Sequence, residues 1–389
     1  MKIHFVTGAT GFVGRNLVSA LLNEGETVWI IIRNLDGSTV EMRAKKIFSK
    51  QLTKYPNNFK VLKGDILDQN LGISKEICNE LKHNDTVFWH LAANLSFSKS
   101  DKSTVNKTNY EGTVNVVDFA NKTGVKFMHM STAYVCGNHY SFTEEELDVG
   151  QKHRNQYEKS KLRGEQYVRE NCDLPYVIFR PSIIIGDAYI GKAEGCTFGY
   201  YRFTFMFHFL KKSVIGSLQK DKLPAKILDL LGTNYHKSEN VLDLPWLVIP
   251  YPKTGRVNMI PIDYVINSMV VSCKNNLKGI TLNLTHPEPP EFNFVLKNIL
   301  YDMGINKTKL IPVTSWVFKS LIHLLYVLVF PIRKYTKHVS WYIPYISKRY
   351  FFDRINAQKY LGNPPKITRK FLHSINTYAK ENILEHIKV

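Results

Sequence analysis

Tyr157 and Lys161 stand four residues apart in the run YEKSK. If QYEKSKLRGEQYVREN is helical, this spacing puts both side chains on one face, about a turn apart. An ammonium beside a phenol favours the phenolate and lowers the tyrosine pKa, so Tyr157 is expected to pass a proton to a carbonyl oxygen as hydride arrives at its carbon. Lys161 is also placed to hold a cofactor ribose. Tyr and Lys at this spacing are commonplace on surface helices, and alone the pair carries little weight. Ser131 and Thr132 change that. They lie in STAYV, directly after the apolar run KFMHM, and a hydroxyl at the C-terminal end of a parallel strand can polarise the same carbonyl.

A third set of residues fits a dinucleotide. KIHFVTG runs into TGATGFVGRNLVSALL, which places Gly8, Gly11 and Gly14, with Thr10, Phe12 and Val13 between them, where a strand turns into a helix. Glycine there permits positive φ, close backbone approach to a pyrophosphate and tight helix-on-strand contact, while the helix N-terminus offers N–H groups to the anion. The second apolar run ends at IIIRN, so Arg33 stands where an NAD-selective site places an acidic residue. A guanidinium suits a 2′-phosphate, and NADPH is expected over NADH. Asp65 and Ile66 follow the third run in LKGDIL, with Asp65 expected to accept a hydrogen bond from the adenine amino group. Ala92 and Ala93, after the fourth run, leave room for the cofactor.

The scaffold for these groups is legible in the same stretch. From Lys2 to about Asn121, short β-branched runs alternate with helical ones, and KFMHMSTAYV and LPYVIFRPSIII continue the pattern. Nearly unbroken apolar strands separated by helices imply a parallel sheet covered on both faces. The expected fold is α/β, a Rossmann-type doubly wound parallel sheet with helices on both faces, plus a smaller C-terminal part. Residues 1–186 are assigned to the dinucleotide-binding domain with Thr132, Tyr157 and Lys161, and 187–389 to a substrate-binding part. Segments near 255–285 are expected to complete the sheet. After Gly186 the sequence turns aromatic, basic and less periodic, with GYYRFTFMFHFLKK at 199–212 reading as a lid over an acyl chain or, more commonly, as core. ITLNLT reads as a strand, with helices near 292–303 and 370–386.

TGATGFVG, GDI, HLAA, NYEGT, STAYV, YEKSK and RPS stand in the order and approximate spacing of the extended short-chain dehydrogenase/reductases, which residues 1–190 therefore resemble. MIPIDYV at 259–265 resembles a later motif of that superfamily. The resemblance implies that Thr132, Tyr157 and Lys161 carry the chemistry, that Asn109 supports the site, and that Pro181 and Ser182 lie beside the nicotinamide. FMHMSTAYV, YEKSK and RPSIIIGDAYIGKAEG are most similar to the fatty acyl-CoA reductases and thioester reductase domains. That branch implies NADPH-dependent reduction of an acyl thioester, on CoA or an acyl carrier protein, to aldehyde or alcohol. The aromatic 190–250 region and the chain beyond 300 depart from the pattern, so other readings stay open. One is a reductase of a hydrophobic ketone or secondary alcohol, of 3β-hydroxysteroid or dihydroflavonol type, which product analysis would separate. A sugar-nucleotide epimerase is less favoured because of Arg33, and a non-catalytic nucleotide-binding scaffold would tolerate loss of the Tyr157 hydroxyl.

Composition bounds these readings. With 44% hydrophobic and 22% charged residues in 389, the chain is ordinary globular protein, neither low-complexity nor disordered. Its 52 Lys and Arg against 33 Asp and Glu, a net +19, would attract phosphates, anionic lipid or nucleic acid. No RNA-binding or helix-turn-helix signature accompanies that charge, and nucleic-acid binding is not expected. The five cysteines are scattered without a CxxC pair, so no metal site is expected and a reducing cytosol fits. MKIHFVTGATG breaks at glycine with no signal-peptide core, which predicts a protein that is not secreted. Between Ser315 and Tyr350 stand six Lys or Arg, no Asp or Glu, and nine aromatics. The apolar run there is short for a span, so peripheral attachment to an anionic membrane surface is expected, against the alternative of a buried helix followed by a basic loop. A cytoplasmic location and a homodimer complete the expectations.

Overall fold

KIHFVT at Lys2–Thr7 is a strand, β1, in which every residue after Lys2 is buried. Such a strand needs cover on both faces, and the computed structural model, which describes residues 1–35, 37–219, 223–328 and 341–386, supplies it. Six further strands join β1: β2 (Thr27–Ile32), β3 (Phe59–Lys63), β4 (Asp85–His90), β5 (Lys126–Met130), β6 (Tyr176–Pro181) and β7 (Ile280–Leu284). All pair in parallel, in the order β7-β6-β5-β4-β1-β2-β3. The order reverses between β1 and β4, and ligands of open α/β sheets bind beyond the strand ends at such a switch point.

Helix α1 (Phe12–Asn23) follows β1, α2 (Gly112–Thr123) precedes β5, α3 (Gln156–Asn171) precedes β6, and α4 (Ile262–Lys274) precedes β7. Val116 and Phe119 of α2 pack with Phe5, Phe88, Phe127 and Ile178 of the sheet in one buried cluster. Elsewhere α1 packs against α4. The doubly wound parallel sheet expected from the apolar runs is therefore the fold.

The chain forms two compact units that interleave in sequence: Met1–Ser182, Ile262–Pro287 and Phe351–Pro364 in one, Ile183–Pro261, Glu288–Tyr350 and Pro365–Val389 in the other. Within the 255–285 region only Ile280–Leu284 enters the seven-stranded sheet, because Met259–Pro261 pairs instead with Ile183–Ile185. The first unit also reclaims chain that sequence alone assigned to the second part. Phe351–Phe352 pairs with Ser141–Phe142, and the Asn283 amide donates to the Asp353 carbonyl at 2.7 Å.

The second unit contains a three-stranded sheet (Asn234–His236, Val241–Asp243, Ile305–Asn306), a parallel pair (Val248–Pro252 with Lys309–Val313) and helices Tyr200–Leu218, Phe292–Asp302 and Arg369–Asn382. Tyr200, Tyr201, Phe205 and Phe207 are buried, so the aromatic run serves largely as core. In the 315–350 segment Phe318, Tyr345 and Tyr350 are buried while Trp316 is 75% exposed. Phe330, Arg333, Lys334, Tyr335 and Lys337 of that segment, and the side chain of Tyr326, lie outside the described residues. Among the described residues no helix is long and apolar enough to cross a membrane.

Candidate active site

The dinucleotide end is built by close backbone approach. Gly8 has φ +72°, and a Cβ there would sit 2.5 Å from the Ala92 nitrogen. A Cβ on Gly14 would meet the Gly8 carbonyl oxygen at 2.3 Å, so the first turn of α1 lies directly on the end of β1. Gly11 is the N-cap of α1 and no side chain caps that turn, which leaves its N–H groups for an anion. Gly8, Thr10, Gly11, Arg33, Asp65, Ile66, Ala92 and Ala93 line one cleft. Phe12 and Val13 are half-buried in the turn, and Gly14 is buried at the contact.

Arg33 is 51% exposed and pairs with Asp65 at 3.5 Å. The other Asp65 oxygen accepts the Leu67 N–H at 3.1 Å, so this carboxylate already has two partners. Arg43, which sequence reasoning missed, lines the same cleft and donates to the Arg33 carbonyl. It comes from the helix Val40–Lys54, where nothing in the local pattern marks it. Two guanidiniums thus flank one end of the cleft.

The end of the candidate site that contains Tyr157 and Lys161 hangs from α3. The Asn155 side chain accepts the Glu158 N–H at 2.9 Å, and buried Glu158 takes the Arg154 backbone N–H at 2.9 Å and its guanidinium at 2.7 Å. These caps start the helix beside Tyr157. The Thr132 hydroxyl acts on the Tyr157 phenol, favouring its charged form, and the Tyr157 ring lies 5.7 Å from that of Phe97, which carried no sequence signal. Thr132 also receives the Tyr134 N–H at 3.3 Å and lies 3.4 Å from the Pro181 carbonyl oxygen. Lys161 donates to the Met130 carbonyl.

The shift at Tyr157 runs opposite to the expected one. Burial pushes the phenol up to about 12, opposed by the Thr132 hydrogen bond, and Lys161 is not among the groups acting on it. Burial also pushes Lys161 down to about 8, with Glu165 pulling the other way. A dry site disfavours both charged forms. The phenol therefore keeps its proton near neutral pH, as a proton donor must.

Ser131 does not join Thr132. Its hydroxyl donates to Glu165 at 2.7 Å, and that carboxylate is bound by Arg180 at 2.6 Å and Arg169 at 3.0 Å. Burial alone would raise Glu165, but Arg180 and the other donors hold it below its ordinary value. This buried pair went unread, although Glu165 stands one helical turn beyond Lys161. Asn109 is buried in a π-helical turn, Lys107–Glu111, and its neighbour Thr108 lines the cleft. Pro181 ends β6, and the buried Ser182 hydroxyl has no protein partner among the described residues. Among the described residues no group of His, Cys, Asp and Glu could hold a metal ion.

Residues 6–269 match the model of an NAD-binding family described as male sterility protein, and the chain belongs to that family. Over 395 residues it is 24% identical to the nonribosomal peptide synthetase asaC of Aspergillus flavus, covering 93% of this chain and 34% of that one. Over 220 residues it is 27% identical to the fatty acyl-CoA reductase wat of Drosophila melanogaster, covering 46% of this chain and 42% of that one. The chain thus spans less than half the length of either relative. The terminal R domain of the myxalamid PKS-NRPS pathway shares its fold, with a TM-score of 0.74 at 17% identity over all of this chain and 93% of that one. The resemblance read from the motifs is borne out.

Proposed function

We propose, with membership of that NAD-binding family as the premise, that the chain is an NADPH-dependent reductase of acyl thioesters, carried on CoA or an acyl carrier protein, with an aldehyde as first product. The observation that carries the reading is the Thr132 hydroxyl acting on the Tyr157 phenol at the C-terminal edge of the sheet, with Lys161 one turn away and the glycine turn Gly8–Gly14 on the same edge. The relatives support the substrate class, since one is named a fatty acyl-CoA reductase and another is a peptide synthetase.

The residues present fit a dinucleotide: Gly8, Thr10, Gly11, Arg33, Asp65, Ala92 and Ala93 line one cleft, and α1 begins at Gly11 with an N-terminus that no side chain caps. Gly8, Gly11 and the first turn of α1 would hold the pyrophosphate, and Arg33 with Arg43 would hold a 2′-phosphate. When bound, the dinucleotide supplies hydride. Thr132 and Tyr157 orient the thioester carbonyl oxygen between two hydroxyls, and Tyr157 gives that oxygen its proton as negative charge develops there. Lys161 keeps the Tyr157 turn in register through its bond to Met130 and has N–H donors to spare for a ribose. Collapse of the hemithioacetal breaks the C–S bond and releases thiol and aldehyde; a second reduction would give alcohol. The second unit is assigned to recognition of the acyl chain. Its basic 315–350 segment is proposed to rest on anionic lipid, with exposed Trp316 as the supporting observation.

The test is turnover of NADPH by the purified chain with acyl-CoAs of graded length, with thiol and aldehyde measured together. Equal release of both per NADPH consumed supports the reading. Intact thioester with rapid consumption of a hydrophobic ketone would replace it with the ketone reductase.

A further inference from the structure

The HLAA motif contains a histidine that the chemistry above leaves unused. His90 ends β4 and is 1% exposed. Each of its ring nitrogens faces a hydroxyl: Nδ1 lies 2.8 Å from Thr7 Oγ1, and Nε2 lies 2.9 Å from Thr113 Oγ1.

The neighbours fix where the protons are. The Thr113 hydroxyl donates to the Asn109 carbonyl at 2.7 Å, and a carbonyl has no proton to offer in return. A hydroxyl has a single proton, so towards His90 Thr113 can only accept, and Nε2 must be the protonated nitrogen. Burial, reinforced by the charge of Lys161, pushes His90 down to about 3, so the ring is neutral and Nδ1 is bare. Nδ1 then accepts the Thr7 hydroxyl, whose oxygen in turn accepts the Ala92 N–H at 3.4 Å. The bonds all run one way, from Ala92 through Thr7, His90 and Thr113 to the Asn109 carbonyl. The opposite tautomer would leave two hydrogens facing each other between Nδ1 and Thr7, or strip Thr7 of its acceptor, and would leave Nε2 without a donor.

The Asn109 side chain extends the chain in both directions. It accepts the Asn94 N–H at 2.7 Å and donates to the Asn94 carbonyl at 3.0 Å. It also donates to the Ser160 hydroxyl at 3.0 Å, which donates to the Tyr157 carbonyl at 3.0 Å. One end of the network therefore holds the loop Ala92–Asn94, two residues of which line the dinucleotide cleft, and the other end holds α3. Two contacts fix the spacing further. A Cβ on Gly164 of α3 would lie 3.0 Å from the Asn109 oxygen, and His129 stacks on His90 with 5.5 Å between ring centroids.

We propose that His90, held as the neutral Nε2–H tautomer, is a positioning residue that sets the distance between the dinucleotide-facing loop Ala92–Asn94 and the helix bearing Tyr157 and Lys161. It touches no reacting atom. Its loss should lower turnover far more than thioester affinity, because small misplacements of reacting groups are costly in rate.

The tautomer is read directly from the ring-nitrogen shifts of the 15N-labelled full chain, with His90→Phe as the assignment control. The expected result is Nε2–H with no titration over the range of about pH 5 to 8, where an ordinary histidine changes charge. An Nδ1–H ring, or one that titrates there, overturns the proposal. Kinetics supply the second arm, which rests on the reductase reading. In His90→Phe, kcat is expected to fall roughly ten- to hundredfold with thioester KM little changed, and His90→Gln, which restores an N–H towards Thr113, should recover part of it. Unchanged kcat in folded His90→Phe, or KM rising in step with the fall in kcat, overturns it. If His90→Phe does not fold, Thr113→Val serves in its place, since it deletes one link at constant shape and the same kcat criterion applies. If the wild-type chain reduces no thioester, the functional reading fails and the tautomer measurement still decides this one.

Discussion

The first unit, built round the parallel sheet, contains 28 Lys and Arg against 22 Asp and Glu; the second, though shorter, contains 24 against 11. Most of the net +19 thus belongs to the unit with the least regular structure, where sheets of two and three strands alternate with aromatic helices. In the first unit the functional side chains leave one edge of one sheet, and their spacing is set by strand register, glycine contacts and buried hydrogen bonds. Under the proposed function, this contrast separates two jobs. Hydride and proton transfer need geometry fixed to a fraction of an ångström, which a doubly covered sheet provides. Recognition of a long apolar chain and its anionic carrier needs area and charge, which tolerate irregular structure.

If that division holds, substitutions in the first unit change rate and cofactor choice, and those in the second change what the protein associates with. The largest effect belongs to Tyr157→Phe, expected to cut turnover by roughly a hundred- to ten-thousandfold while NADPH binding, followed by fluorescence titration, stays the same. Activity near the wild-type level would remove the proton donor from the site and dissolve the contrast. Next comes Arg33→Glu, which should shift the ratio of NADPH to NADH efficiency towards NADH by about ten- to hundredfold, since charge-assisted bonds to a phosphate are at stake. Arg43→Ala should shift it the same way by less. An unchanged ratio would place the 2′-phosphate elsewhere.

The pH profile gives a smaller but sharper test. Lys161 is held at about 8, so its charge is lost as pH rises through that value, and kcat should fall there. Tyr157, pushed up to about 12, contributes no limb at lower pH. The stability effect has the opposite sign. Between about 8 and the ordinary lysine value the unfolded chain binds the extra proton, so Lys161 favours folding more as pH rises over that interval. Loss of rate without a matching loss of Tm, and absence of the limb in Lys161→Met, separate catalysis from unfolding. The smallest effect is expected in the second unit. Trp316→Ala should weaken co-sedimentation with anionic vesicles severalfold and leave turnover of a soluble thioester untouched.

The same contrast explains what could be read from sequence. Strands such as β1, β2 and β6 show as apolar runs because they are buried on both faces, whereas the half-buried edge strand β3 alternates with lysine, and Gly8, Gly14, Tyr157 and Lys161 declare themselves through local spacing. Arg43, Phe97 and the Glu165–Arg180 pair reach the site from separate elements and leave no local pattern. The direction of the Tyr157 shift was misread for a related reason. It follows from burial, a property of the assembled fold, and YEKSK contains only the neighbouring charge. In the second unit the pairing of Val248–Pro252 with Lys309–Val313 joins distant stretches, and periodicity within either cannot reveal it.

The central claim is that hydride is delivered to a thioester carbonyl while Tyr157 protonates its oxygen. It is tested most directly with NADPH deuterated at the transferring position, an acyl-CoA and mass spectrometry of the product. The account predicts one deuterium on the aldehyde carbon, free thiol in equal amount, and both products formed at least about a hundredfold more slowly by Tyr157→Phe. Unlabelled product, or free acid in place of aldehyde, would contradict it.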